Sequence, residues 1–213
     1  MNILFSNDDG VHAKSLYLLK QKFSTWGTGV IVAPETEKST TGHSLTLHKP
    51  LRVKKLQPDV FSVSGFPADC VFLAVDQLMK RKPDLVISGI NLGANLGQDL
   101  YYSGTIAAAR EAVVAGIPAI AFSLCKDERL QGQTLFVDDA ATICEAITRE
   151  IILSLGKTLS SGLKKWPSGL HFNVNIPNLP IKRVKGAVVA SSGFRRYSRD
   201  VLRRKDARGG DYY

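Results

Sequence analysis

Residues 2–10, NILFSNDDG, decide the fold of this chain, because a short apolar run leads directly into two acids and a glycine. The run at residues 2–6 predicts a parallel strand that is buried on both faces. The apolar-periodic segment 14–25 that follows it predicts a helix. Asp8 and Asp9 therefore belong to a strand-to-helix turn, at the sheet edge where open α/β folds bind ligands. Two adjacent carboxylates repel each other there unless a cation neutralises them.

The same alternation of strand and helix continues along the chain. Short apolar runs predict strands at 2–6, 29–33, 84–88, 119–124, 171–176 and 185–190, and periodic segments predict helices at 14–25, 67–81, 104–115 and 138–155. This rhythm predicts an α/β fold with a doubly wound, mostly parallel, Rossmann-like sheet. Residues 44–64 interrupt it, since apolar and polar residues alternate there, and they predict a β-hairpin that projects from the sheet.

Composition narrows the class of protein. The 213 residues suffice for one sizeable core, and 44% hydrophobic with 22% charged residues is typical of a globular chain. No apolar run has the length of a membrane span, and the amino terminus lacks the pattern of a secretory signal. Three scattered cysteines without CxxC spacing argue against a zinc site or a disulfide framework. We therefore expect a cytoplasmic protein with no membrane partner.

The net charge of +9 is concentrated at one end of the chain. Residues 182–213 hold ten Lys and Arg against three Asp, so the remainder is close to neutral. A basic surface for specific nucleic-acid binding is therefore not expected, and a solvated tail or a subunit contact is favoured. We predict one α/β domain over residues 1–194, followed by a basic tail at 195–213 that is mobile or ordered only against another subunit.

Two polar loops follow other predicted strands and should meet the acid pair at the same sheet edge. The first, PETEKSTTGHS at 34–44, brings the hydroxyl of Ser39 over the two acids. The second, SGINLGANLGQD at 88–99, has a glycine every fourth residue, with Asn91 and Asn95 between. Glycines allow close approach of the backbone, and asparagine supplies an acceptor and a donor. A plain connecting loop is the structural alternative.

A third segment, YSGTIAAAREA at 102–112, opens an alanine-rich helix with Ser103, Gly104 and Thr105. The free N–H groups and positive end of such a helix suit an anion, although either hydroxyl residue could be an ordinary helix cap. All-oxygen ligands beside an anion site favour a hard divalent cation, magnesium, manganese or calcium, and a phosphate ester. No GxxxxGK[ST] motif occurs, so a nucleoside-triphosphate motor is not indicated.

Several of these segments together resemble the signature blocks of one family. The resemblance rests on SNDDGVHA (6–13), VAPETEKSTTGHSLTL (32–47), GFPADCVFLAV (65–75), SGINLGANLG (88–97), YSGTIAAAREA (102–112), FNVNIP (172–177) and DARG (206–209). They are similar to the blocks of the SurE family, survival protein E, whose members are divalent-metal-dependent 5′/3′-nucleotidases. The match extends over nearly the whole chain.

The resemblance implies a set of roles for residues of this chain. Asp8, Asp9, Ser39 and Asn91 would hold one divalent cation per subunit, Mg²⁺ or Mn²⁺, with Ca²⁺ as a possible occupant in crystals. Asn95 and the Ser103–Gly104–Thr105 segment would hold the phosphate. The substrate would be a nucleoside monophosphate, and the subunits would form a homo-oligomer, a dimer or a tetramer.

Two departures from the family pattern stand out. Family members generally carry Asn where His43 stands, so His43 is either a substrate contact or a tolerated surface change, and we favour the second. Family chains usually continue past the DARG-like segment with a further strand and an arm exchanged between subunits. The sequence given ends at Tyr213, which leads us to expect altered oligomer contacts and reduced stability with the catalytic loops intact.

The predicted reaction is hydrolysis of a phosphomonoester by a water molecule that attacks in line with the leaving nucleoside. Asp8 or Asp9 could instead serve as base or nucleophile. A haloacid-dehalogenase-type phosphatase ranks low, because it needs a second aspartate two residues on, where this chain has Gly10. The alternative from another class is a nucleotide-binding or scaffolding protein with weakened turnover. A nucleic-acid-binding module is a third hypothesis, and only the basic tail supports it.

Overall fold

Strand β1, the first apolar run of the sequence, lies at the centre of a seven-stranded sheet in the computed structural model, which describes residues 1–127, 129–155, 166–194 and 201–213. The sheet order is β3-β4-β2-β1-β5-β6-β7, and every neighbouring pair is parallel except β3–β4. The strands are β1 (Asn2–Ser6), β2 (Thr28–Pro34), β3 (Val53–Gln57), β4 (Val60–Val63), β5 (Leu85–Asn91), β6 (Ala119–Cys125) and β7 (His171–Pro177). The predicted mostly parallel α/β fold is confirmed.

Helices cover both faces of the sheet. They are α1 (Lys14–Lys22), α2 (Pro67–Leu73), α3 (Asp99–Tyr102), α4 (Gly104–Val114) and α5 (Val137–Ser154). Alternate residues of β1 enter different cores: Ile3 and Phe5 pack in the cluster with α1 and α5, and Leu4 packs in the cluster with α2 and α4. Burial on both faces explains why β1 is an uninterrupted apolar run. No helix among the described residues is long and apolar enough to cross a membrane.

The hairpin is present but its extent and position differ from the prediction. It comprises β3 and β4 only, and β4 pairs in parallel with β2, so the hairpin extends the sheet instead of projecting from it. Residues 44–52 form no strand: Thr46 bonds to Asp69 of α2, and Pro50 lacks the N–H that a ladder requires. Leu47 remains 77% exposed, so the alternating pattern there does not bury a face.

Two helices are shorter than the periodicity predicts, and one predicted strand is wrong. The first helix ends at Lys22 and passes into a 3₁₀ turn at Ser24–Trp26. The segment predicted at 67–81 is α-helical to Leu73 and continues as a π turn to Leu78. Residues 185–190 are exposed and not extended into a strand, because no neighbouring strand supplies partners to their backbone among the described residues.

The basic tail is described only in part. Residues 195–200, where the predicted tail begins, lie outside the described residues. Residues 201–213 are exposed throughout, with a small antiparallel pair of strands, β8 (Arg204–Lys205) and β9 (Asp211–Tyr212). An ion pair between Arg203 and Asp211 closes this hairpin. The predicted mobility or subunit contact of the tail stays a prediction.

Candidate active site

The acid pair occupies the turn directly after β1. Asn7 fixes this turn, since its side chain accepts from the Gly10 N–H (3.2 Å) and donates to the Gly10 carbonyl (3.2 Å). Gly10 has a φ of +100°, which a residue with a Cβ rarely adopts, and this allows the chain to reverse just after the acids. Asp8 is left only 5% exposed, at the carboxyl ends of the central strands.

The first turn of α4 holds Asp8. The Thr105 hydroxyl donates a hydrogen bond to Asp8 Oδ1. Gly104 lies so close that a Cβ there would be 2.7 Å from the Asp8 Cβ, so only glycine lets the helix start against this carboxylate. Burial raises the pKa of Asp8, and hydrogen bonds from the Thr105 side chain and the surrounding backbone offset this only in part.

Asp9 is the unsatisfied member of the pair. Its Oδ2 is buried and has no hydrogen-bond partner among the described residues. Burial, reinforced by the negative charges of Asp8 and Glu37, raises the pKa of Asp9 to about 6, and Lys126 opposes the shift. A buried carboxylate oxygen without a partner is costly unless a cation or a proton neutralises it.

The loop after β2 reaches the acid pair through its backbone. The Lys38 N–H donates to the Asp8 carbonyl (2.7 Å), which places the neighbouring Ser39 beside the turn. The Ser39 side chain is exposed, and its hydroxyl donates to Glu37 Oε1 (2.5 Å). The structure thus brings the predicted loop to the site, while the Ser39 hydroxyl is directed to a carboxylate of its own loop.

The glycine-rich loop after β5 is held from two sides. The Asn91 amide nitrogen donates to the Gly93 carbonyl (2.8 Å), which leaves the Asn91 Oδ1 outside this bond. Asn95 is buried, and its amide nitrogen donates to Ser123 Oγ of β6 (2.8 Å). Its backbone is bound by β7: the Asn95 N–H donates to Asn175 Oδ1 (2.9 Å), and its carbonyl accepts from Asn173 and Asn175 (both 3.0 Å).

Ser103 is the N-cap of α4, since its hydroxyl accepts from the Ile106 N–H (3.1 Å). This is the structural alternative that the sequence left open for it. The structure therefore gives Ser103 a capping contact and Thr105 a contact with Asp8. Any phosphate contact of the Ser103–Thr105 segment stays a prediction, as does that of Asn95.

His43 lies in the loop that carries Ser39, four residues after it, and is partly buried. Its Nε2 is 2.8 Å from Glu111 Oε2 on α4, and the two side chains are 22% and 12% exposed. This contact joins the end of the Ser39 loop to α4.

Four side chains at the site were missed by reasoning from the sequence: Glu37, Lys126, Asn173 and Asn175. The two asparagines had a usable signal, because Asn-Val-Asn on a predicted strand places both amides on one face of the sheet. Glu37 and Lys126 carried none, since isolated charges in loops are ordinarily solvated.

The donor set fits a hard cation. Two carboxylates with raised pKa values share one turn, one of their oxygens lacks a partner, and an amide and a hydroxyl lie on adjacent loops. Among the described residues no group of three or more His, Cys, Asp or Glu side chains has the arrangement of a metal site.

A model of one protein family, described as survival protein SurE, matches residues 3–199. This chain belongs to the SurE family. It is 43% identical over 213 residues to the 5′-nucleotidase SurE of Geobacter sulfurreducens, which spans all of this chain and 76% of that protein. It is 41% identical over 218 residues to the 5′-nucleotidase SurE of Heliobacterium modesticaldum, with 100% and 75% covered.

Comparison with a solved SurE structure also places this chain in the family. The crystal structure of the SurE protein from Aquifex aeolicus superposes with a TM-score of 0.82 and 38% sequence identity, covering 100% of this chain and 81% of that one. The SurE match therefore includes every segment that supplies a side chain to the site.

Proposed function

We propose that this protein hydrolyses nucleoside 5′-monophosphates, and 3′-monophosphates, to a nucleoside and phosphate with one divalent cation, Mg²⁺ or Mn²⁺. The observation that carries the proposal is the pair Asp8–Asp9: Asp8 is buried against the start of α4, and the buried Asp9 Oδ2 has no partner among the described residues. The names of the SurE relatives, 5′-nucleotidases, support the substrate class.

Asp8, Asp9, Ser39 and Asn91 are the proposed cation ligands. A divalent cation held by these residues would supply Lewis-acid chemistry: it would lower the pKa of a bound water and polarise a phosphoryl oxygen. Asp8 is fixed by Thr105 and nearly fully buried, which suits a rigid ligand better than a nucleophile that must move. Ser39 would exchange its bond with Glu37 for the cation, at the cost of one exposed hydrogen bond.

The phosphate is proposed to lie between the cation ligands and the start of α4. The backbone N–H groups of the first turn and the positive end of the helix dipole favour an anion there. Asn95 and the segment Ser103–Thr105 would stabilise the charge on the equatorial oxygens as the bond to the leaving nucleoside breaks. Asn173 and Asn175 hold the Asn95 backbone in place, so they would act through Asn95.

The nucleoside is proposed to lie against the two tyrosines that precede Ser103. Tyr101 and Tyr102 are 70% and 58% exposed, although tyrosine is ordinarily intermediate in burial. An exposed ring beside a phosphate site offers a surface on which a nucleobase stacks. This observation favours a nucleotide over a sugar phosphate of similar charge.

Steady-state release of inorganic phosphate from a panel of 5′- and 3′-nucleoside monophosphates tests the proposal, measured with Mn²⁺, with Mg²⁺ and after chelation. We expect turnover only with a divalent cation, and loss of turnover in Asp8→Asn and Asp9→Asn with the fold retained. Binding of nucleotides without turnover would support the scaffolding alternative, which the nucleotidase names of the relatives do not favour. Near-normal turnover of either variant at saturating metal contradicts the proposed site.

We also propose a homo-oligomer in a reducing compartment, the cytoplasm. Several apolar side chains of the carboxyl-terminal segment face solvent, among them Val188 (92% exposed), Val189 (102%), Val201 (72%) and Leu202 (66%). Val201 and Leu202 line one surface pocket with Tyr212 and Tyr213, and an exposed apolar patch is typical of a protein contact. The three free cysteines support a reducing environment. Light scattering coupled to gel filtration measures the oligomeric state.

A further inference from the structure

The loop that carries Ser39 is fixed by one contact before this residue and by another after it. Before Ser39, the Lys38 N–H donates to the Asp8 carbonyl (2.7 Å). After Ser39, the Gly42 N–H donates to the Tyr102 carbonyl (2.9 Å), next to the N-cap of α4. Ser39 itself is exposed and makes its side-chain bond within the loop. Its position therefore depends on the anchors at either side.

The second anchor includes a side-chain contact, His43 with Glu111. The Nε2–Oε2 distance is 2.8 Å, and both side chains are largely buried. Glu111 belongs to α4, the helix whose first turn holds Asp8 through Thr105. One rigid helix thus binds both the acid turn after β1 and the end of the Ser39 loop.

Loss of the imidazole would leave Glu111 largely buried without its partner. A buried carboxylate that loses its donor is costly, so the loop would shift or water would enter to satisfy it. The Gly42–Tyr102 bond alone is a single backbone contact at a residue with a φ of +57°. Thr46, further along the loop, is bound by Asp69 of α2, so among the described residues the His43–Glu111 pair is the side-chain contact with another element that lies nearest to Ser39 on this side.

We infer that His43 is a positioning residue: through Glu111 it fixes the Ser39 loop to α4 and so sets the affinity of the cation site. The inference rests on the proposed function, in which Ser39 is a cation ligand. It assigns His43 neither to the substrate nor to a solvent-exposed surface. Groups that orient metal ligands from outside the coordination shell typically contribute about 10- to 100-fold in metal affinity.

The test is Mn²⁺ binding to the chelator-treated, full-length protein by calorimetry. We expect His43→Ala and Glu111→Ala each to raise the Kd by about tenfold, and the double variant to be no worse than either single one. His43→Gln should restore the affinity to within about threefold, because the glutamine amide nitrogen occupies the position of Nε2. His48→Ala is the matched control, since His48 is an exposed histidine of the same loop and should bind Mn²⁺ as the unmodified protein does.

Kinetics separate positioning from substrate contact. We expect the Mn²⁺ activation constant of His43→Ala to rise by about tenfold, while the KM for the nucleotide at saturating Mn²⁺ changes by less than about twofold. A changed KM with unchanged Mn²⁺ affinity overturns the inference in favour of a substrate contact. A lowered melting temperature with unchanged Mn²⁺ affinity overturns it in favour of a purely structural pair. If the unmodified protein binds no Mn²⁺, the proposed cation site fails and this inference fails with it.

Discussion

Thr105 Oγ1 donates a hydrogen bond to Asp8 Oδ1 and thereby joins the first turn of α4 to the end of β1, across 97 positions of sequence. Neither residue could form this contact unless β5 lay beside β1 and α4 packed over both. The bond places a hydroxyl donor on the most buried acid of the site, and its contribution to the free energy of unfolding can be measured.

Thr105→Val keeps the shape of the side chain and removes the donor. Asp8 then lacks its strongest hydrogen bond in a buried position, and we expect the free energy of unfolding to fall by about 1–3 kcal/mol. Thr105→Ser retains the hydroxyl and should lose less than about 1 kcal/mol. Urea denaturation of the metal-free protein measures both. Equal losses in the two variants would show that packing, and not the hydrogen bond, is what Thr105 supplies.

The raised pKa of Asp9 predicts an unusual pH dependence for the metal-free protein. Its pKa in the folded state is about 6 and its ordinary value is 3.8, so the folded protein takes up this proton before the unfolded chain does. The charged form therefore destabilises the fold fully above about pH 6, and the destabilisation decreases as the pH falls and is lost below the ordinary pKa of 3.8.

Asp9→Asn isolates this contribution. We expect the variant to be more stable than the unmodified protein at pH 7.5 with a chelator present, and the difference to shrink to about a third of that value near pH 4.5. Added Mn²⁺ should reverse the order at pH 7.5, because it stabilises only the protein that binds it. Urea midpoints at the two pH values give the comparison. A difference that is constant across pH would exclude Asp9 as its source.

Gly104 allows the close contact of α4 with Asp8, which makes Gly104→Ala informative. The added Cβ would lie 2.7 Å from the Asp8 Cβ and 3.1 Å from Pro67 Cγ, so the acid or the helix must move. A displacement of the order of 1 Å at a reacting site costs about 100-fold in turnover. Gly93→Ala is the control in the neighbouring loop, since its Cβ would meet only Asn91 Nδ2 at 3.6 Å. Normal kcat/KM in Gly104→Ala would show that the position of Asp8 does not matter for turnover and would contradict its proposed role.

The basic tail predicts nucleic-acid binding that is weak, blind to sequence and strongly dependent on salt. Each phosphate that a lysine or arginine neutralises releases counterions, so affinity at about 150 mM salt should be largely lost relative to about 20 mM. Fluorescence anisotropy with unrelated oligonucleotides measures this, and neutralising the exposed Arg204 and Lys205 should flatten the salt dependence. Tight binding that survives physiological salt would restore the nucleic-acid hypothesis.

The core of the fold could be predicted because its strands are buried on both faces. Runs such as residues 2–6 and 119–124 have no other stable environment, and both strands are confirmed. The pattern at residues 44–52 is ambiguous, since alternation alone does not reveal that Thr46 bonds to Asp69 instead of a strand partner. Side-chain bonds over long sequence separations decide such segments, and a local pattern does not contain them.

The sequence predicts which loops form the site better than it predicts the side-chain contacts within them. Strand-end position predicts that Asp8, Asp9, Asn91 and the loop of Ser39 lie at one edge of the sheet, and the structure places the Ser39 loop against Asp8. The bond of Ser39 to Glu37, and the use of Thr105 as a donor to Asp8, depend on side-chain directions that spacing does not specify. The assignment of particular residues to the cation and to the phosphate stays a prediction until ligand binding is measured.

The two halves of the proposed site rest on strands of different exposure. Asp8 and Asp9 follow β1 at the centre of the sheet, whereas the backbone of Asn95 is held by side chains of β7, which forms one edge of the sheet that the described residues build. Edge strands open locally at a lower free energy than central ones. In mild denaturant the protein should therefore release its anion while it still retains its cation.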